Sequence, residues 1–169
     1  MLVVNNTWER APWADALYAC DGVWWRRYEA ATAAQFTGQR WTQDKCAADK
    51  YGLRWIRSKA GYRLILDAGA IGQGGNSGFQ ALNLALHFGA RKIILTGFDM
   101  QPTAGALHWH DDHKRGDGLH NPTAQTFAGW RSAFENAAAQ LADENVDVLN
   151  ASRVSALSCF ERVDLESVL

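Results

Sequence analysis

The sequence predicts a three-layer α/β fold, in which a mostly parallel sheet lies between helices on both faces. Five glycines crowd residues 69–78, apolar residues recur at helical spacing over 79–88, and residues 92–99 form a near-continuous apolar run. Such a run predicts a central parallel strand that is buried on both faces. Because loop, helix and strand alternate with right-handed crossovers in these folds, ligands are expected beyond the carboxyl ends of the strands.

The chain opens with two short apolar runs. Residues 2–4 predict a buried strand that stops at Asn5 and Asn6, which favour turns. Residues 14–21 predict a second strand, and Asp21 closes it. Polar residues at both strand ends are candidates for the ligand-binding edge of the sheet.

The middle of the chain is less regular. Residues 22–34 predict an aromatic helix, whereas residues 37–49 are polar and weakly patterned. Residues 53–57 and 62–66 alternate enough to predict a hairpin of two short strands around positions 60–61.

After the central strand comes a long loop, residues 101–121, with four histidines, three acids and three glycines. Loops longer than about 12–15 residues are usually functional or disordered. Residues 122–145 predict one long helix, 146–150 a final strand, and 154–169 a short helical tail. At 169 residues the whole chain is expected to form one domain.

Composition excludes several classes of protein. The net charge of −1 disfavours nucleic-acid and membrane-surface binders, which rely on excess Lys and Arg. No apolar stretch approaches the ~20 residues needed to cross a bilayer. The three cysteines are widely spaced without a CxxC pair, which argues against a disulfide framework and favours a reducing cytoplasm. The eight tryptophans suit either a core or stacking on a flat ligand.

The glycine loop, residues 74–78, is the first candidate site. Glycines ahead of a helix let backbone N–H groups approach an anion, so Gly75, Asn76, Ser77 and Gly78 are candidate contacts for a phosphate or carboxylate. The alternative is an ordinary helix start with Asn76 or Ser77 as N-cap.

Two acids follow strands of the predicted sheet. Asp99 is placed where a carboxylate reaches a ribose or sugar hydroxyl or a hydrated metal, and the alternative is capping of the next turn. Asp21 has the same two interpretations. Trp24 and Trp25 beside Asp21 are expected to offer a stacking face for a base or pterin-like ring.

The segment HWHDDH, residues 108–113, is a candidate metal site. His108, His110, Asp112 and His113 place four potential ligands for Zn²⁺ or Mg²⁺ within six residues. The segment matches the HxHxDH signature of metallo-β-lactamases, whose further ligands lie far downstream, where this chain has only His120. The alternatives are a solvated loop, or histidines that contact phosphate or act as general acid or base.

Segments 76–79 and 85–99 carry a family resemblance. A Ser-Gly pair before a helix of small residues, and a Gly-x-Asp after the next strand, resemble the bacterial family 42 sialyltransferases and the MptE-like pterin diphosphokinases (the domain-of-unknown-function 115 group). Both have Rossmann-like domains and handle a nucleotide. The resemblance implies a Rossmann-like transferase that acts on a nucleotide-activated or phosphorylated small molecule. The whole chain is also similar to phage and prophage proteins of this type.

The resemblance implies roles by position. Asn5 and Asn6 correspond to a polar pair of the sialyltransferases that contacts the nucleotide, and Ser77 and Gly78 match the serine and glycine of their substrate loop. Asp99 matches the aspartate of their Gly-Ile-Asp segment.

Chain order places His120 where the sialyltransferases have a general-base histidine. These families open with a strand and a G-x-G-P-S loop, whereas this chain starts at their second strand. An upstream strand or a homo-oligomer is therefore expected to cover the sheet edge. The tyrosines that follow the sialyltransferase aspartate have no counterpart in residues 100–103, which argues against a true sialyltransferase.

Three functions follow from the sequence. The first is a transferase with a small-molecule substrate, in which the glycine loop holds anionic groups, Asp99 orients hydroxyls or a metal, and His120 or a histidine of the 108–113 segment is the base. The second is a non-catalytic phage protein that binds a ligand or a partner. The third is a metal-dependent hydrolase centred on residues 108–113.

Overall fold

The computed structural model describes residues 1–67, 69–110, 113–114 and 118–169, in which short strands alternate with helices. The strands are β1 (Leu2–Val4), β2 (Ala16–Tyr18), β3 (Gln39–Thr42), β4 (Arg54–Trp55), β5 (Arg57–Lys59), β6 (Ala70–Gly72), β7 (Lys92–Leu95), β8 (Asp147–Asn150) and β9 (Glu161–Arg162). The helices are α1 (Gly22–Gln35), α2 (Lys45–Tyr51), α3 (Ser77–His87) and α4 (Ala124–Asp143), with 3₁₀ helices at Asn5–Glu9 and Leu165–Ser167.

The strands form parallel sheets, as predicted. Their orders are β1-β2-β3-β4, β5-β6 and β7-β8-β9, and neighbouring strands in each order pair in parallel. The predicted α/β fold class is therefore confirmed. Within the described residues β1 pairs with β2 alone, so it lies at an edge of the four-stranded sheet.

Helices cover both faces of the β1-β2 pair. Val3 lies opposite Leu17 in the register, and both side chains pack in one core with Trp25 of α1. Val4 lies opposite Tyr18, and these two pack in a second core with Leu84 of α3. Since successive strand residues point to opposite faces, α1 and α3 lie on opposite sides of the sheet.

A third core joins α3 and α4 to the β7-β8 pair. Phe134 of α4 is fully buried, and its ring meets the Phe79 ring edge-on at 5.6 Å and the Phe98 ring at 5.7 Å between centroids. Leu95 of β7 and Val148 of β8 belong to the same cluster. The edge-on aromatic geometry stabilises this core beyond simple area burial.

The longer predicted elements are confirmed. The two opening strands, the helices over 22–34, 79–88 and 122–145, and the strand over 146–150 are present with end shifts of a few residues. The described part of 101–121 contains only an isolated bridge between Thr103 and Ala106.

The predicted hairpin over 53–66 is wrong. Residues 62–66 form no strand, while β4 pairs with β3 and β5 pairs with β6, each in parallel. The sequence predicts no element at β3, α2 or β6, because elements of three to seven residues carry almost no periodicity. The strands that pair with β3 and β6 lie at other points of the chain, so pairing rather than local pattern decides where these two strands form.

The placement of β7 as a central strand is also wrong. Within the described residues β7 pairs only with β8, and of its side chains only Leu95 is buried. The predicted helical tail contains instead strand β9 and a 3₁₀ turn. In the described part of the chain, no helix is long and apolar enough to span a membrane.

Asn83 of α3 ties an irregular segment to β6. Its side chain is fully buried, and its Oδ1 accepts hydrogen bonds from the N–H groups of Ile65 and Gly72, both at 2.8 Å. Its Nδ2 donates to the Ile65 carbonyl at 2.8 Å. The Asn83 side-chain amide therefore satisfies three backbone hydrogen-bonding groups, the N–H and carbonyl of Ile65 and the N–H of Gly72.

We expect Asn83→Ala to lower the free energy of unfolding by about 3 kcal/mol, because it leaves buried backbone groups without partners. Asn136→Ala, at an exposed position of α4, is the matched control and should change it by less than about 0.5 kcal/mol. Urea unfolding followed by circular dichroism measures both. Equal effects of the two substitutions would contradict this role.

Candidate functional site

The carboxyl ends of several strands meet at one edge of the molecule, called here the rim. The Cys20 N–H, two residues beyond β2, donates to Ser77 Oγ at 3.3 Å, and the Ser77 hydroxyl donates to Cys20 Sγ at 3.0 Å. Ser77 is the first residue of α3 and is 5% exposed. This contact places the glycine loop beside the end of β2, the arrangement that the parallel-sheet rule predicts.

A groove of about 650 Å³ opens at the rim beside this contact. It runs between the first turn of α1 and the length of α2, at the carboxyl ends of β2 and β3. Ser58 and Gln73 of the β5-β6 region also line it. We call it the rim groove. Gly118 closes one side, where its backbone approaches Val23 so that an added Cβ would lie 3.2 Å from a Val23 methyl carbon.

Charged side chains of both signs line the rim groove. Arg26 and Lys50 contribute two exposed cations, and Asp21 and Asp44 contribute two acids. Asp44 caps α2, since its Oδ1 accepts from the Ala47 N–H at 2.8 Å. Asp21 occupies the N-cap position of α1 without a side-chain capping bond, so its carboxylate does not satisfy the first-turn amides.

The glycine loop serves as the start of α3. Asn76 is the N-cap, and its Oδ1 accepts from the Phe79 N–H at 2.8 Å, as in the alternative of an ordinary helix start. Gly74 has a φ of 55° and packs so closely on Phe79 that a Cβ would lie 2.0 Å from its ring. Gly75 lies against Trp130, whose indole N–H donates to the Gly75 carbonyl at 2.8 Å. Aromatic rings therefore occupy two sides of the loop.

Asn76 has a polar group that is unpaired in the described part of the chain, and Gly78 packs on an aromatic ring. Within the described residues the buried Asn76 Nδ2 has no hydrogen-bond acceptor. Gly78 is half-buried, and an added Cβ would lie 2.8 Å from the Phe98 ring. Anion binding by Gly75, Asn76, Ser77 and Gly78 stays a prediction.

The asparagine pair after β1 is built into the protein interior. Asn5 is half-buried with a φ of 48°, and Asn6 is 4% exposed. Asn6 Oδ1 accepts from the Trp24 indole N–H at 2.8 Å, and its Nδ2 donates to Glu9 at 3.2 Å. Both ends of the Asn6 amide therefore have protein partners.

The expected stacking face of Trp24 and Trp25 is wrong. The two side chains are 2% and 0% exposed and pack in the core between α1 and the sheet. The Trp25 indole N–H donates to the Ala19 carbonyl at 3.0 Å. Burial on folding outweighs ligand stacking here because each indole removes a large apolar area from water.

Asp99 lies in a hydrogen-bonded turn after β7. Its Oδ2 accepts from the Thr103 hydroxyl at 2.5 Å, which is the capping arrangement named as its alternative role. The preceding residue, Phe98, is held by two serines. Its N–H donates to Ser152 Oγ at 2.8 Å, and its carbonyl accepts from the Ser155 hydroxyl at 2.6 Å.

The serines that hold Phe98 form a network that the sequence did not predict. Buried Asn150, at the end of β8, donates to Ser155 Oγ at 3.0 Å and accepts from the Ser152 N–H at 3.1 Å. Arg162 adds a bond from its guanidinium to the Ser152 carbonyl. The only sequence feature that pointed to this network was Asn150, a polar residue at the end of a predicted strand. Its position in the sequence does not show that it lies near Phe98.

Three of the predicted metal ligands lie together. The ring centroids of His108 and His110 are 5.2 Å apart, those of His108 and His113 4.6 Å, and those of His110 and His113 5.5 Å. Asp112 lies outside the described residues. His120 is exposed and belongs to none of these ring pairs. As the described side chains are placed, no three or more His, Cys, Asp or Glu groups are arranged to hold a metal ion.

The cysteines differ in reactivity. Burial, with a smaller contribution from the Asp21 charge, raises the pKa of the Cys20 thiol to about 12. Burial also raises the pKa of the Cys159 thiol to about 11. Cys46 is exposed on α2 and lines the rim groove.

We expect one fast thiol at pH 8 when the folded protein is titrated with a disulfide reagent. Cys46 should react first, because the raised pKa leaves Cys20 with a roughly thousandfold smaller thiolate fraction than an ordinary thiol. Cys46→Ser should remove the fast phase, and denaturant should expose the other thiols. A fast phase that survives in Cys46→Ser would contradict this assignment.

Comparison of the chain with protein-family models, with curated proteins and with solved structures finds no match in any of the three. The fold class therefore follows from the parallel α/β topology itself. The resemblance to sialyltransferases and MptE-like enzymes stays a prediction.

Proposed function

We propose that this chain is a Rossmann-like transferase that binds a nucleotide-activated or phosphorylated small molecule in the rim groove. The observation that carries the proposal is the groove itself, at the carboxyl ends of β2 and β3 with Arg26 and Lys50 on its walls. Open parallel sheets bind ligands at this edge. Its volume of about 650 Å³ suits a nucleotide-sized molecule.

Anion recognition has two sources in the groove. Arg26 and Lys50 supply full positive charges, and a guanidinium fits phosphate oxygens in pairs. The first-turn amides of α1, which Asp21 does not cap, add the partial positive charge of a helix N-terminus. Because the Asp21 and Asp44 carboxylates lie at the start of α1, a phosphate group is expected on the side of the groove that Arg26 and Lys50 line.

Neutral groups of the groove suit the rest of such a ligand. Gln43, Ser58 and Gln73 offer amide and hydroxyl groups for a base or sugar, and Tyr51 offers an aromatic ring. The Asp21 carboxylate has the chemistry to accept from ribose hydroxyls or to hold a hydrated Mg²⁺.

The transfer step needs an acceptor and a base. In the proposed reaction the oxygen of an acceptor hydroxyl forms a bond to the atom of the donor that carries the leaving phosphate. The bond between that atom and the phosphate oxygen breaks, and the hydroxyl proton passes to a base. His120, His108, His110 and His113 are the candidates for this base, and Asp99 is the candidate that orients a hydroxyl. The sequence resemblance supports this chemistry through Ser77, Gly78 and Asp99.

Isothermal titration calorimetry with ADP, CDP and UDP, with and without Mg²⁺, tests the groove. We expect binding of at least one nucleotide, weakened tenfold or more in the double variant Arg26→Gln/Lys50→Gln, because it removes both cations. Arg91→Gln/Lys92→Gln is the matched control, since this exposed pair lies at the start of β7. Absence of binding at millimolar nucleotide would overturn the proposal.

Thiol protection locates the ligand independently. A nucleotide in the rim groove should slow labelling of Cys46, whereas labelling of Cys159, which does not line the groove, should be unchanged. Assays with the corresponding nucleotide sugars then separate two functions. Binding without transfer would identify a ligand-binding protein in place of an enzyme.

A further inference from the structure

We propose that His108, His110 and His113 bind one divalent transition-metal ion of the zinc class. Metal binding by these three residues does not involve the rim groove, and with the metal bound His120 is the remaining candidate base of the proposed transfer. The three ring centroids are 5.2, 4.6 and 5.5 Å apart in pairs.

These separations fit a shared metal. Imidazole nitrogens bind zinc at about 2.1 Å, so two rings at tetrahedral angles around one ion have centres about 5 Å apart. The three observed separations scatter closely around that value. The mutual spacing of the rings is therefore that of imidazoles around one ion, although their nitrogens do not converge as placed. Binding requires the rings to turn until one nitrogen of each faces the ion.

Trp109 and His113 each contact a residue outside the 108–113 segment. The Arg10 guanidinium lies 5.2 Å from the ring centre of Trp109, between the first two histidines. The Asn121 side chain accepts from the His113 N–H at 2.8 Å and donates to the His113 carbonyl at 3.0 Å. Because these contacts hold the two residues, less ordering entropy is lost at their positions when a metal binds.

The donor set selects the class of metal. Imidazole suits zinc, copper, nickel and iron, whereas Mg²⁺ and Ca²⁺ prefer oxygen ligands. Three protein ligands leave a fourth tetrahedral position for water or another small ligand.

The test uses the full chain, dialysed against EDTA and then against buffer, and titrated calorimetrically with ZnCl₂ and with MgCl₂. We expect one Zn²⁺ per chain and no comparable Mg²⁺ binding. His110→Ala and His113→Ala should each weaken Zn²⁺ binding by more than the roughly 10–100-fold that loss of an outer-shell partner costs, because each removes a direct ligand. His120→Ala is the matched control, an exposed histidine of the same loop outside the ring cluster, and should bind Zn²⁺ like the parent.

Circular dichroism shows whether each variant is folded. If His110→Ala or His113→Ala does not fold, His108→Gln is measured in its place and should weaken Zn²⁺ binding in the same way. Titration of the parent with Co²⁺ adds a spectroscopic measure, since visible absorption reports tetrahedral coordination by the chain. Absence of stoichiometric Zn²⁺ binding, or equal losses in His120→Ala and His110→Ala, would overturn the site. Neither result bears on nucleotide binding, which is measured in the metal-free chain through Arg26 and Lys50.

Discussion

Burial of both faces of β1 and β2 is the constraint on which the rest of the structure depends. Val3 and Leu17 face the α1 side, while Val4 and Tyr18 face the α3 side. Strands that are apolar on both faces need helices on both sides, and parallel strands need crossovers that return the chain to the same starting edge. The carboxyl ends therefore gather at the rim, together with the first turns of α1, α2 and α3.

Polar contacts then join these layers at the rim. The Tyr18 hydroxyl donates to Gln80 Oε1 at 2.6 Å inside the core, and burial raises the pKa of this phenol, so Tyr18 stays a neutral donor. The Cys20–Ser77 hydrogen bonds also connect the end of β2 to the start of α3, in a less buried position. The glycine-rich loop, which suggests phosphate binding, therefore also connects the sheet to helix α3. Its glycines are required by the closeness of Phe79 and Trp130 whether or not a ligand binds.

The functional proposals use different parts of the rim. The groove concentrates Arg26 and Lys50 beside an uncapped helix start, which suits a phosphorylated ligand. The histidine loop carries nitrogen ligands that phosphate recognition does not need, and His108, His110 and His113 are not among the described residues that line the groove.

The sequence by itself determined the α/β class, the opening strands and the long helices, because apolar spacing over ten or more residues leaves few alternatives. It also identified the residues of the histidine cluster. Tertiary structure alone decided β3 and β6 and the partners of β4 and β5, since strands this short form only where a distant partner supplies hydrogen bonds. It also decided that Trp24 and Trp25 belong to the core, and that Arg26 and Lys50 share a groove. Which side chains are buried, and which distant residues line one groove, depend on how the elements pack in three dimensions. The spacing of apolar residues along the sequence does not contain this information.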